Sequence, residues 1–425
     1  MRKIIVIGAG FVGINFLNKI AKQSKNKYHI ILFDKNNHHV FQPMLYQAAT
    51  AFIPLNNVVV PIRKLFTQEN IEFKMQEVID ILPEEQLVKT SANILYSYDY
   101  LIVATGIEYD YLGNDDWREY TFCLKSAYDA QKIKSHILSQ FELAEVAQTD
   151  EEKRYHLSFI IIGAGATGVE ITGALLDLLH TDFLKTYHNF SIDDISIHLI
   201  EGGENILSAF PKELSNHAYD SLKARRVNIH LKEPVTNILD GRVTTEKDSY
   251  RGATIIWSTI LKGKGIGNWM SSQIEKGKIA VLDDLTHRDF KNIYFAGDIS
   301  YIKSNPLPGL AAVAKQQGKY IAKTIIKRDK NKAYNDFKYK DLGTMAIIKK
   351  HEAIANIFGM KFKGKLGWFI WGGVHITFLI SIRNKFVVSF NWLSYYICKR
   401  IGSIEFIKSK KNKKVNKFEG AVLDN

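Results

Sequence analysis

The stretch IIVIGAGFVG, residues 4–13, decides how this chain is read, because FIIIGAGATGVE at residues 159–170 repeats its glycine spacing. In Gly8-x-Gly10-x-x-Gly13 the first glycine permits a tight turn. The second lets a pyrophosphate approach the backbone, and the third lets helix and strand pack closely. The apolar run over 3–8 has the continuous hydrophobicity of a buried parallel strand. Residues 11–23 are predicted helical, and HIILFD at 29–34 reads as a second strand ending in an acid. Asp34 lies 21 residues beyond Gly13, where a carboxylate can bond ribose hydroxyls. The N–H groups and dipole of the helix start would face the phosphates.

The second copy, Gly163-x-Gly165-x-x-Gly168, has the same setting: a strand over 157–163, a helix over 167–180, and a strand over 195–201 ending in Glu201. About a dozen residues, TDFLKTYHNFSIDD, lengthen this unit before its second strand. Gly202 and Gly203 follow Glu201 where an arginine would favour a 2′-phosphate, so NADH is expected over NADPH. Two more strand-like pieces end in short signatures. YDYLIVATG closes at Ala104, Thr105 and Gly106, and NIYFAGD closes at Gly297 and Asp298. Two dinucleotide sites in one chain suggest FAD and NADH together. The expected fold is α/β, with two Rossmann-like dinucleotide-binding domains, the NADH domain inserted in the FAD domain. Residues 1–115 and 280–330 would bind FAD, 116–154 would supply a linking helix, and 155–279 would bind NADH. Residues 331–425 would form a C-terminal membrane-associated region.

The chain has 425 residues, 46% hydrophobic and 24% charged, enough to build a core without disulfide or metal staples. Its net charge of +13 suits phosphates or anionic lipid, but no stacking module or basic recognition helix points to nucleic acid. The two cysteines, Cys123 and Cys398, are far apart and form neither a CxxC nor a metal-ligand spacing. The basic-then-apolar start MRKIIVIGAG runs straight into the glycine fingerprint with no cleavage site, so it reads as a strand rather than a signal peptide.

The nested order of motifs resembles the two-dinucleotide flavoprotein reductases. In that family the acid of the late GD pair, here Asp298, contacts the ribityl chain of the flavin. Disulfide reductases of the same superfamily carry a cysteine pair near residues 43–50. Here that stretch is PMLYQAAT, which excludes a disulfide relay. More specifically, the chain resembles the type II NADH dehydrogenases, single-subunit, non-pumping NADH:quinone oxidoreductases. DKNNHHVFQPMLYQAAT (34–50), GAGATGVEITGAL (163–175), LPGLAAVAKQQG (307–318), DLGTMAIIKKHEAI (341–354) and GWFIWGGVHITFLISIRNK (367–385) carry this resemblance. It implies that Glu170 lies beside flavin and quinone as a proton conduit or positioning carboxylate, and that Gln316 hydrogen-bonds near the quinone head. Three positions depart from the family's pattern. Ala312 replaces a glutamine, Ile260 in WSTIL replaces a glycine of a loop near the nicotinamide, and Lys349 replaces another glycine.

Quinone is lipid-soluble, so the enzyme must touch a bilayer. Residues 366–382 hold 17 positions without a charge, fewer than the about 20 needed to span. Tryptophans 368, 371 and 392, with lysines 361, 363 and 365, suit a helix lying in the membrane interface. The basic run KSKKNKK (408–414) would add attraction to anionic headgroups. The expected location is peripheral, on the cytoplasmic face of the cell membrane, with a homodimer left open. Two rivals remain: an NADH reductase for a soluble electron-carrier protein, and a membrane-bound nucleotide-binding flavoprotein with little turnover.

Overall fold

The computed structural model describes residues 1–23, 27–263, 274–398 and 404–405. The basic run 408–414 lies outside the described residues. Along the chain, β1 (Arg2–Ile7), α1 (Phe11–Gln23) and β2 (Tyr28–Asp34) precede α2 (Leu45–Ala49), β3 (Ile71–Met75) and β4 (Tyr100–Val103). Next come α3 (Ala127–Val146), α4 (Asp150–His156), β5 (Ser158–Ile162), α5 (Ala166–Leu179), β6 (Ser196–Glu201), α6 (Lys212–Lys223), β7 (Asn228–Leu231) and β8 (Thr254–Trp257). The chain continues through β9 (Ile293–Phe295) and α7 (Ala311–Arg328). It ends with β10 (Thr344–Lys349), β11 (Glu352–Ile357), β12 (Met360–Phe362), α8 (Gly364–Phe378) and α9 (Ile382–Cys398).

Two compact units result. The first comprises Met1–Val40, Val59–Glu108 and Leu261–Asp341. Its centre is a parallel sheet in the order β9-β4-β1-β2-β3. Ile4, Val6, Leu32, Phe33, Leu101 and Ile102 are buried in it, as strands covered on both faces require. Helices α1 and α7 cross in contact at Gly318, where a Cβ would stand 2.3 Å from the Val12 carbonyl oxygen.

The second unit comprises Phe41–Val58, Tyr109–Ile260 and Leu342–Asn425. It holds a parallel sheet in the order β7-β6-β5-β8, and the antiparallel sheet β10-β11-β12. By contact, the first unit resumes at Leu261 and ends at Asp341. The segment Phe41–Val58 clusters with the second unit because α2 packs against α3 and α5, a tertiary contact that local pattern does not carry.

The linking segment is two helices rather than one. Thr149 accepts a hydrogen bond from the Glu152 N–H, while the Glu152 carboxylate accepts from the Thr149 N–H. This reciprocal cap ends the α3 run and starts α4. The uncharged stretch 366–382 is likewise not a single helix. α8 stops at Phe378, Leu379 is extended and buried, and α9 begins at Ile382. The break is held by the Lys385 ammonium, which donates to the Thr377 carbonyl at 3.0 Å. Among the described residues, no helix is long and apolar enough to cross a membrane.

Candidate active site

The first glycine loop joins β1 to α1. A Cβ on Gly8 would stand 2.4 Å from the Ala104 carbonyl oxygen, and one on Gly13 would stand 2.1 Å from the Gly8 carbonyl oxygen. Gly8 also has φ +104°, which side chains disfavour. These two glycines are needed by the fold itself. A Cβ on Gly10, by contrast, would meet nothing within 4 Å. The open glycine between two closed ones is the cradle a pyrophosphate requires. Asp34 ends β2 beside it, its carboxylate accepting the N–H groups of Ala9 and Asn36, both at 2.8 Å.

The second loop, between β5 and α5, repeats this arrangement. A Cβ on Gly163 would lie 2.6 Å from the Thr259 Cβ, and one on Gly168 would lie 1.9 Å from the Gly163 carbonyl oxygen. Gly165 again has nothing within 4 Å. The Glu201 carboxylate accepts from Ala164 N–H at 2.7 Å and Gly203 N–H at 2.8 Å. The residues therefore fit a dinucleotide at each loop.

In the first unit, Ala104–Gly106 follow β4 and lie against the Gly8 turn, with Gly106 at φ +75°. Gly297 and Asp298 follow β9 and line a crevice with Pro308, Gly309 and Val313. Gly309 permits close approach, since a Cβ there would come within 3.2 Å of an Asp298 carboxylate oxygen. The glutamine that orders this turn is Gln317, which no sequence motif singles out. It is buried on α7 and accepts the Gly297 N–H at 2.6 Å. The phase of buried Val313, Ala314, Gly318 and Ile321 on α7 was the available signal. Gln316 lies on the flank of the helix, with its amide engaged by the Lys340 backbone. Its nitrogen donates to the Lys340 carbonyl at 2.8 Å and its oxygen accepts the Lys340 N–H at 3.0 Å.

Glu170 belongs to the second unit. With Gly173 and Asp177 it forms one face of α5, at i, i+3 and i+7, and this face receives β10. Gly173 is indispensable there, because a Cβ would stand 1.8 Å from the Ile348 carbonyl oxygen. Asp177 accepts the Lys350 N–H at 2.6 Å, and burial pushes its carboxyl up to about 7. The Glu170 carboxyl is pushed up to about 8 by burial, opposed by the backbone N–H of Ile347. It is therefore held largely protonated at neutral pH.

Helices α8 and α9 carry buried faces and apolar exposed ones. Trp371 stacks on His375 with ring centroids 4.3 Å apart and lies 5.2 Å from Trp392, whose indole N–H donates to Gln47 Oε1 at 3.0 Å. On the other face Leu366 and Phe369 of α8, and Ile382, Phe386, Phe390 and Leu393 of α9, are exposed. The α9 residues recur at i, i+4, i+8 and i+11, a continuous apolar stripe.

Family comparisons agree with this layout. The model of the pyridine nucleotide-disulphide oxidoreductases matches residues 2–318, and that of the NDH2 C-terminal domain matches 342–401. The type II NADH:quinone oxidoreductase Ndh of Mycobacterium tuberculosis is 30% identical over 95% of this chain and 89% of its own. The chain belongs to the type II NADH:quinone oxidoreductase family. A further type II NADH:quinone oxidoreductase, from Staphylococcus saprophyticus, is 27% identical over 87% of this chain and 93% of its own. The solved structure of NDH2 from Plasmodium falciparum in complex with NADH shares the fold. It has a TM-score of 0.88 at 21% identity, covering 96% of this chain and 100% of that one.

The structure accommodates one of the three departures from the pattern of the type II family, Lys349, and shows a backbone cost at a second, Ile260. Lys349 is paired with Glu352, Nζ to carboxylate 2.9 Å, and so is accommodated at the end of β10. Ala312 is half-buried on α7, and nothing in the structure explains the loss of the family's glutamine there. Ile260 has φ +49° and a partly exposed side chain. A left-handed β-branched residue costs about 1–2 kcal/mol, which is why glycine suits this position. Ile260 follows β8, at the carboxyl edge of the sheet where a nucleotide crevice forms. Ile260→Gly should tighten NADH binding several-fold. Stability should hold or rise, because the strain relieved offsets glycine's extra chain entropy of about 0.4–1 kcal/mol. NADH titration and thermal unfolding check this, and unchanged NADH affinity would show that the isoleucine does not crowd the site.

Proposed function

We propose that FAD occupies the Gly8–Gly13 loop, that NADH occupies the Gly163–Gly168 loop, and that the acceptor is a quinone drawn from a bilayer. The observation carrying this reading is the pair of open glycines, Gly10 and Gly165, each beside its own strand-end acid. Bound flavin would take the hydride of NADH and return two electrons to quinone, so that NADH, a proton and quinone give NAD⁺ and quinol without proton pumping.

The chain's residues then have distinct tasks. Asp34 and Glu201 would offer carboxylates to the two ribose groups, and Asp298 would hold the ribityl chain. Ala104–Gly106 and Gly297 close the flavin pocket. Glu170, kept protonated near neutral pH by burial, is the candidate proton donor that quinone reduction needs. Gln316 acts through the Lys340 backbone that it holds. The apolar stripe of α8 and α9 rests on the headgroup boundary of the cytoplasmic face, beside Lys365 and Arg383. A reductase for a soluble carrier would have no use for this stripe.

Donor choice tests the reading. The Glu201 charge should make NADH much more efficient than NADPH in quinone reduction, and Glu201→Gln should narrow the ratio. Steady-state kcat/KM for both donors checks this. Equal efficiency in the parent protein would contradict the placing of NADH beside Glu201.

A further inference from the structure

The two glycine loops hold the same peptide with different donors. In the second loop the Ala164 carbonyl accepts the backbone N–H of Leu207 at 2.8 Å. In the first, the Ala9 carbonyl accepts instead from the imidazole of His39, Nδ1 to oxygen 2.8 Å. We propose that His39 is a positioning residue for the flavin loop: its Nδ1–H clamps the Ala9–Gly10 peptide so that the Gly10 N–H faces the pyrophosphate of FAD. This rests on the assignment of FAD to the first loop.

The chemistry of the contact fixes its direction. A carbonyl only accepts, so Nδ1 carries the proton. His39 is 2% exposed, its Nε2 has no hydrogen-bond partner, and burial holds the ring's pKa down to about 4. The ring is therefore neutral, in the single tautomer that can donate to Ala9. In a trans peptide the C=O and the following N–H point in opposite directions. Capping the Ala9 carbonyl thus turns the Gly10 N–H to the other side of the loop, and a Cβ on Gly10 meets nothing within 4 Å. Asp34 fixes the preceding peptide through the Ala9 N–H, as Glu201 does through Ala164. The imidazole is held in place edge-on by the Phe11 ring, centroids 5.3 Å apart, and by the pairing of His39 with Val60. The NADH loop obtains its clamp from main chain, so only the flavin loop depends on a side chain for this bond.

The test compares His39→Phe, which keeps a ring but cannot donate, with His39→Asn, whose amide N–H takes the place of Nδ1–H. Flavin released from the parent protein is identified first. A flavin other than FAD would overturn the assignment of the loop rather than the role of His39. Apo-protein is then titrated with FAD, and separately with NADH, by fluorescence. His39→Phe should weaken FAD binding about 10- to 100-fold, the loss expected for one buried hydrogen bond. His39→Asn should recover most of it, and NADH affinity should be unchanged in both. Parent-like FAD affinity in His39→Phe, or no recovery in His39→Asn, would overturn the proposal. Where phenylalanine prevents folding, His39→Leu gives the same comparison.

Discussion

Gly10→Val should fold and emerge from purification without its yellow colour. Nothing lies within 4 Å of the position a Gly10 Cβ would take, so a side chain starts there in open space. It does fill the space through which a pyrophosphate must reach the backbone, and FAD affinity should fall about 100-fold or more. The flanking glycines behave differently. Valine at Gly8 or Gly13 would drive into carbonyl oxygens 2.4 and 2.1 Å away and damage the fold itself. Gly165→Val is the mirror experiment: the protein should stay yellow and lose NADH binding. Absorbance at the flavin band, ratioed to protein, reads both variants. Full flavin occupancy in Gly10→Val would remove FAD from the first loop.

A second large effect is expected at the apolar stripe. Phe386 and Phe390 are exposed on α9 and lie away from the Trp371–Trp392 contact that holds the two helices. Burying one such side chain contributes about 1.5–3 kcal/mol. Phe386→Asp with Phe390→Asp should therefore reduce binding to anionic vesicles by about 100-fold or more. Flavin content and NADH oxidation with a water-soluble acceptor should persist, while reduction of a long-tailed quinone in vesicles should collapse. High salt should weaken the parent's vesicle binding without abolishing it, since the aromatic residues are not screened. A flavin-loaded double variant that still sediments with vesicles would move the anchor elsewhere. This design is cleaner than deleting 366–425. That deletion would also uncover Ala353, whose carbonyl packs against Gly367, and Gln47, which is bonded to Trp392.

Both βαβ units were legible because their signals are local. Strand, glycine loop, helix and acid follow one another directly along the chain, Arg2 to Asp34 in the first unit and Ser158 to Glu201 in the second, and β1, α1, β2, β5, α5 and β6 begin and end within a residue or two of the expected positions. Glu201 could be matched to Asp34 on the same grounds. The rest depends on contacts distant in sequence. His39 reads as one of two adjacent histidines in a polar run, and only the fold brings it to Ala9. Gln316 and Gln317 are neighbours in sequence, yet one holds the Lys340 backbone and the other holds Gly297. The α8–α9 break escaped because absence of charge measures solvation, whereas helix ends are set by caps such as Lys385 on Thr377. The Thr149–Glu152 cap, a threonine followed three residues later by glutamate, was present in the sequence as a start signal and would have divided the linking helix.

In the proposed function one chain carries electrons from NADH to quinone through a flavin bound at the first loop. An anaerobic titration at the flavin band tests it most directly. Stoichiometric NADH should bleach the oxidised flavin, NADPH at the same concentration should do so far more slowly, and quinone added afterwards should restore the band. A flavin that stays oxidised with NADH, or one that is reduced by NADH and not reoxidised by quinone, would contradict the account.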